Sequence, residues 1–93
     1  MMDERKILGR AISFYGSEIQ MVVAVEELSE LQKELCKSLR QEPDVQHIAE
    51  EIADVQIMLE QMMMLYDCHE SVEAWRHSKV ARLRDRLIHD GGV

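Results

Sequence analysis

Apolar residues recur at intervals of three and four along almost the whole chain, the signature of helices that bury one face. The spacing predicts four helices, over about 3–15, 18–40, 44–66 and 70–88, with 89–93 as a flexible tail. Ile7, Leu8, Ala11, Ile12 and Phe14 are the apolar set of the first. Gly16 and Ser17 break it, and Ser17 is read as the N-cap of the second. Met21, Ala24, Val25, Leu28, Leu31, Leu35 and Leu39 form one apolar arc on the second helix. Gln41-Glu42-Pro43-Asp44 ends it, with Pro43 at the first position of the next helix or in the turn before it. On the third helix Ile48, Ile52, Val55, Leu59, Met62 and Tyr66 make the arc. Asp67-Cys68-His69 is a short connection, and Val72, Val80, Leu83 and Leu87 are expected to face inward from the fourth. No alternating, β-branched runs interrupt this pattern. The expected fold is an all-α, four-helix bundle-type single domain.

The pattern is broken twice, in the same way. Glu27 and Glu30 lie three residues apart on the second helix, and Glu51 and Asp54 three apart on the third. Residues i and i+3 share a helix face. At about 100° per residue, Glu27 falls only about 40° from Leu31, the centre of its arc, and Glu51 about 40° from Val55. Gln20 and Glu34 share the row of Glu27; Glu30 and Asp54 border the arcs. Glu26, Lys33 and Arg40 fall on the far side of the second helix, and Gln56 and Glu60 on the far side of the third, as solvated residues should. The plain reading of any one such acid is a solvated face, since carboxylates are rarely buried unpaired. Two facing helices that carry acids on their inner sides instead gather four carboxylates around one volume. Those charges repel unless a cation joins them.

An all-oxygen set suits Mg2+ or Mn2+. A di-iron bundle would need Glu-x-x-His on two helices, and neither acidic pair has that histidine. Tetrahedral zinc prefers His and Cys. His47 lies one turn before Glu51 on the same row; its plain reading is an exposed histidine at a helix start.

Charge and composition narrow the partners. The 93 residues carry 18 acidic and 11 basic side chains, a net charge of -7, which argues against nucleic acid as the main partner. Small nucleotides stay open, because a bound metal reverses the local sign. Cys36 and Cys68 are too few for a disulfide framework and read as free thiols. Neither an apolar leader segment nor a membrane-length apolar run is seen, so a soluble, cytoplasmic protein is expected. On the fourth helix Trp75, Lys79, Arg82 and Arg86 lie along one strip, with Arg76 nearby. That strip is either a solvated basic face or a phosphate clamp led by Lys79. Trp75 is either core or a platform for a base, and Met62, Met63 and Met64 read as core or dimer packing.

The two acidic stretches in full are Val25-Glu26-Glu27-Leu28-Ser29-Glu30-Leu31 and Ala49-Glu50-Glu51-Ile52-Ala53-Asp54-Val55. On the second and third of four helices, this pair resembles the MazG-like all-α nucleoside triphosphate pyrophosphohydrolases. Gly16 and Gln20 upstream, and Trp75, Lys79 and Arg82 late in the chain, are similar to the small single-domain bacterial and phage members. The resemblance covers nearly the whole chain. It implies Mg2+-dependent hydrolysis of an NTP or dNTP to the monophosphate and pyrophosphate, as nucleotide-pool housekeeping. It implies that Glu27, Glu30, Glu51 and Asp54 are the catalytic metal ligands and that Lys79 and Arg82 steady the phosphates. Gln20 would hydrogen-bond the base or sugar, and Trp75 would lie at the substrate. It also implies a homo-oligomer, dimer or tetramer. Two other functions compete: a non-enzymatic helical interaction module with the acids as seam residues, and a sensor that binds nucleotide without turning it over.

Overall fold

Asp3 opens the first helix by accepting a hydrogen bond from the Lys6 amide at 2.8 Å. In the computed structural model, which describes residues 2–93, four helices follow in order: α1 Glu4–Tyr15, α2 Ser17–Ser38, α3 Val45–Tyr66 and α4 His69–His89. Among the described residues there is no strand. The all-α expectation therefore holds, with bounds displaced by one or two residues.

One displacement has a clear local cause. Ser17 is the first residue of α2 and not its cap; Gly16 takes that place. Its φ of 95° is a backbone state that glycine enters at little cost. There its amide closes α1 onto the Ile12 carbonyl at 2.9 Å, while its own carbonyl accepts from the Gln20 amide at 3.1 Å. A single residue thus ends one helix and begins the next.

Between α2 and α3 the chain turns through Pro43 and restarts at Asp44, whose carboxylate accepts from the His47 amide at 3.0 Å. Asp44→Ala leaves that first-turn amide without its cap, which typically costs about 1 kcal/mol. In a domain of this size that lowers the melting temperature by roughly 4–8 °C. Thermal unfolding of Asp44→Ala beside Glu42→Ala, an exposed neighbour in the same turn, checks this. Only the first should melt early.

α2 and α3 pair side by side in opposite directions. His47 at the start of α3 meets Glu34 late in α2, and Tyr66 at its end reaches Met21 near the start of α2 with Oη 3.5 Å from the sulfur. α1 lies against both, inserting Leu8, and its Leu8 carbonyl accepts from Gln61 Nε2 of α3 at 3.1 Å. α4 packs against α3 alone and buries none of its residues. His69 at its start bonds Glu60 at 2.8 Å.

The rows that meet keep the expected arc centres, Leu31 and Val55, but the covered face is turned from them toward the acidic side. α2 buries Gln20, Ala24 and Glu34, with Glu27 and Leu31 partly covered, and α3 buries Glu51, Val55, Met58 and Gln61. The apolar interior is thus Leu8, Ala24, Val55 and Met58, beside four polar side chains. Much of each expected arc stays open: Met21, Val25, Leu28, Leu35 and Leu39 on α2, and Ile52, Leu59 and Tyr66 on α3, are exposed. Val72, Val80, Leu83 and Leu87 of α4, expected to face inward, are also exposed. The arcs are wider than one neighbouring helix can cover, and within one chain α4 has too few partners to bury anything. No helix is long and apolar enough to cross a membrane.

Candidate metal centre

The α2–α3 pairing turns the broken pattern into a place. Glu27 leaves α2 from the row that faces α3, and Glu51 and Asp54 leave the first half of α3 toward it. One carboxylate oxygen from each lies within 4.8 Å of one from each of the others. Of the four acids expected together, these three meet. Glu30 is exposed and stands outside the trio, although it is close enough to act on Glu27.

The electrostatics follow from that crowding. Burial holds the Glu27 carboxyl above the ordinary glutamate range. The charges of Asp54 and Glu51, a hydrogen bond with Asp54 and the charge of Glu30 all push the same way. The sign of the pH effect is fixed. A carboxyl whose folded-state pKa is raised binds its proton more tightly folded than unfolded. Its contribution to stability is complete below the ordinary range and is lost as pH rises through the raised value. The metal-free chain should therefore lose melting temperature over that interval, and Glu27→Gln should remove the loss. Mg2+ should also remove it, by taking the proton's place. Melting curves of both chains across pH, with and without millimolar Mg2+, test it. An identical pH profile in Glu27→Gln would overturn it.

Glu51 is the most deeply set of the three. Its side chain is nine-tenths buried. Oε1 lies 3.2 Å from His47 Nε2, whereas Oε2 is buried with no hydrogen-bond partner. A buried carboxylate oxygen left bare is costly unless something else meets it. Three carboxylates that meet in this way are a donor set of the kind hard cations take, and Glu27, Glu51 and Asp54 are the residues that would hold one.

Spacing along the helices did not reveal the second carboxylate beneath the trio. Glu34, two turns beyond Glu27, is buried, and its Oε2 lies 3.1 Å from His47 Nδ1 and 3.8 Å from Lys37 Nζ. His47 is half-buried and bridges two acids; it is not the exposed helix-start residue its position suggests. The signal was present in the row Gln20–Glu27–Glu34 and in the i, i+4 step from His47 to Glu51.

The residues expected at the substrate are dispersed. Gln20 is buried on α2. Trp75, Lys79 and Arg82 are exposed on α4, with Lys79 Nζ 5.8 Å from the centre of the Trp75 ring. Within one chain α4 starts at the far end of α3 from Glu51 and Asp54. Comparisons of the chain with protein-family models, with curated proteins and with solved structures find no match.

Proposed function

We propose that the chain is a Mg2+-dependent nucleoside triphosphate pyrophosphohydrolase that converts an NTP or dNTP to the monophosphate and pyrophosphate. The observation that carries this reading is the meeting of Glu27, Glu51 and Asp54 within 4.8 Å of one another, with one oxygen of Glu51 buried and unpartnered. The resemblance of the two acidic stretches to the MazG-like enzymes gives the reaction its class. Mn2+ would serve the same ligands.

When bound, the cation supplies charge neutralisation for the triphosphate and a more acidic water. The chain's own residues have separate tasks. Glu27, Glu51 and Asp54 would hold the cation, and Glu30, one turn on from Glu27, would be the fourth ligand. Lys79 and Arg82 neutralise phosphate oxygens, Trp75 stacks on the base and Gln20 bonds the base or sugar. α4 touches only α3 in its own chain. Its basic strip therefore reaches the acids of a second copy, and the working unit is a homo-oligomer.

Surface area supports that last point. The chain exposes 7703 Å², against about 5,500 Å² for a compact monomer of 10.8 kDa. Its radius of gyration is 16.7 Å, where a compact chain of 100 residues has about 13 Å. An excess of roughly 2,000 Å² per chain is what an obligate interface covers.

The test is to incubate the protein with Mg2+ and each common and deoxy nucleoside triphosphate in turn, and to assay pyrophosphate against orthophosphate. Pyrophosphate from a subset of nucleotides is expected. Orthophosphate alone would mean attack at the γ-phosphorus. No product from any nucleotide, with no Mg2+-dependent rise in melting temperature, would leave a helical interaction module. Nucleotide-dependent stabilisation without product would leave a sensor.

A further inference from the structure

Lys37, Glu34, His47 and Glu51 form a chain of polar contacts that ends at the candidate metal centre. Lys37 Nζ lies 3.8 Å from Glu34 Oε2, the same oxygen lies 3.1 Å from His47 Nδ1, and His47 Nε2 lies 3.2 Å from Glu51 Oε1. Both carboxylate side chains are at least nine-tenths buried. Where the described residues bury four apolar side chains, a second buried acid beside Glu51 is an expensive arrangement.

We propose that Glu34 and His47 are positioning residues for Glu51. His47 engages Oε1 and Glu34 holds His47 from its other side, which leaves the buried, unpartnered Oε2 as the free oxygen. This rests on the reading of the trio as a divalent-cation site. An unrestrained carboxylate can rotate and offer either oxygen or both. With one oxygen fixed on an imidazole, it offers a single donor in a set direction. Ligating carboxylates are commonly held this way by outer partners.

The same geometry fixes what His47 does not do. An imidazole nitrogen must be bare to bind a metal. Here each ring nitrogen faces a carboxylate oxygen, so both are occupied. While both contacts hold, His47 offers the cation no donor, and the centre keeps an all-oxygen donor set. Glu34 thereby acts on metal choice from one residue further out. Without it, Nδ1 has no acceptor, the ring is free to turn, and a nitrogen donor becomes available beside Glu51. Zn2+ then gains relative to Mg2+ and Mn2+.

The experiment uses the full chain, metal-free and then titrated with Mn2+ followed by electron paramagnetic resonance. Zn2+ competition and a melting curve accompany each titration. The variants are Glu34→Ala, Glu34→Gln and His47→Ala, with Glu51→Gln as the ligand control. Glu34→Ala and His47→Ala should weaken Mn2+ binding about 10–100-fold, the range seen when outer partners of metal ligands are lost. Glu34→Gln, whose amide oxygen still accepts from Nδ1–H, should remain close to the unaltered chain. Glu34→Ala should also shift competition toward Zn2+, which a merely structural role would not do.

Wild-type Mn2+ affinity in Glu34→Ala and His47→Ala, with binding lost in Glu51→Gln, overturns the positioning roles and leaves the metal site standing. No Mn2+ binding by the unaltered chain overturns both.

Discussion

Glu51→Gln should reduce pyrophosphate release by about 1,000-fold, the upper range for removing one electrostatic group from a reacting centre, while raising the melting temperature of the metal-free protein. Both effects come from one change of charge. The amide has the shape of the carboxylate, and its oxygen can still accept from His47 Nε2. What changes lies at the other end, where a bare, buried Oε2 becomes an NH2 group beside a cluster of carboxylates. That group can donate where the original oxygen could only accept, and one negative charge is removed from the cluster. Each kcal/mol of relieved repulsion is worth roughly 4–8 °C in a domain this small. For the cation the same change removes a charged ligand and puts a donor in its place. Stability and activity therefore move in opposite directions. A role confined to a charged seam would give the first effect without the second, so turnover left intact in Glu51→Gln would refute the catalytic reading.

Val25→Asp should take the protein apart. Val25 is 67% exposed in the single chain, and a substitution at an exposed helix position normally changes stability by less than about 0.5 kcal/mol. The larger expectation comes from its neighbours. Met21, Leu28 and Leu35 on α2 and Ile52 and Leu59 on α3 are exposed apolar residues of the same arcs. A groove lined by Leu59, Met62, Met63, Tyr66, Cys68 and Val72 continues that open apolar surface toward α4. If second copies cover these faces, an aspartate at position 25 is buried without a partner, and association fails. The freed chain then has only four buried apolar side chains to hold it. The unaltered protein should sediment as an oligomer and melt at a temperature that rises with concentration. Val25→Asp should sediment as a monomer and lose most of its helical circular dichroism. A concentration-independent melt shared by both chains would refute the oligomer.

The contrast between these residues explains what could be read in advance. The helices were legible because Gly16, Pro43 and Asp67 punctuate a continuous three-four spacing, and the acidic pairs because they sit inside apolar arcs. The centres of those arcs were legible too, at Leu31 and Val55; their width was not. A helical wheel adds up every apolar position, so it does not tell the face that α2 and α3 show each other from the face left open. Ala24 and Val55 sit on the first, Val25 and Ile52 on the second. The error therefore fell on α4, whose apolar residues have no cover within the chain. It also fell on Glu30, which lies one helical step too far round to meet Glu51. The Glu34–His47 link was hidden for a different reason: it joins residues across a turn, and no periodicity within one helix reports a contact between two.

The junction at Gly16 sets α1 apart from the rest. α1 contributes one buried side chain, Leu8, and one tertiary hydrogen bond, from Gln61 to the Leu8 carbonyl. Both are released together if α1 swings away, and the glycine allows that swing without disturbing the first turn of α2. The helix behaves as a small independent unit of local unfolding, whose opening costs far less than global unfolding. Amide hydrogens of Glu4–Tyr15 would then exchange with solvent through this partial opening, whereas those around Glu51 and Val55 wait for the whole α2–α3 pair to part.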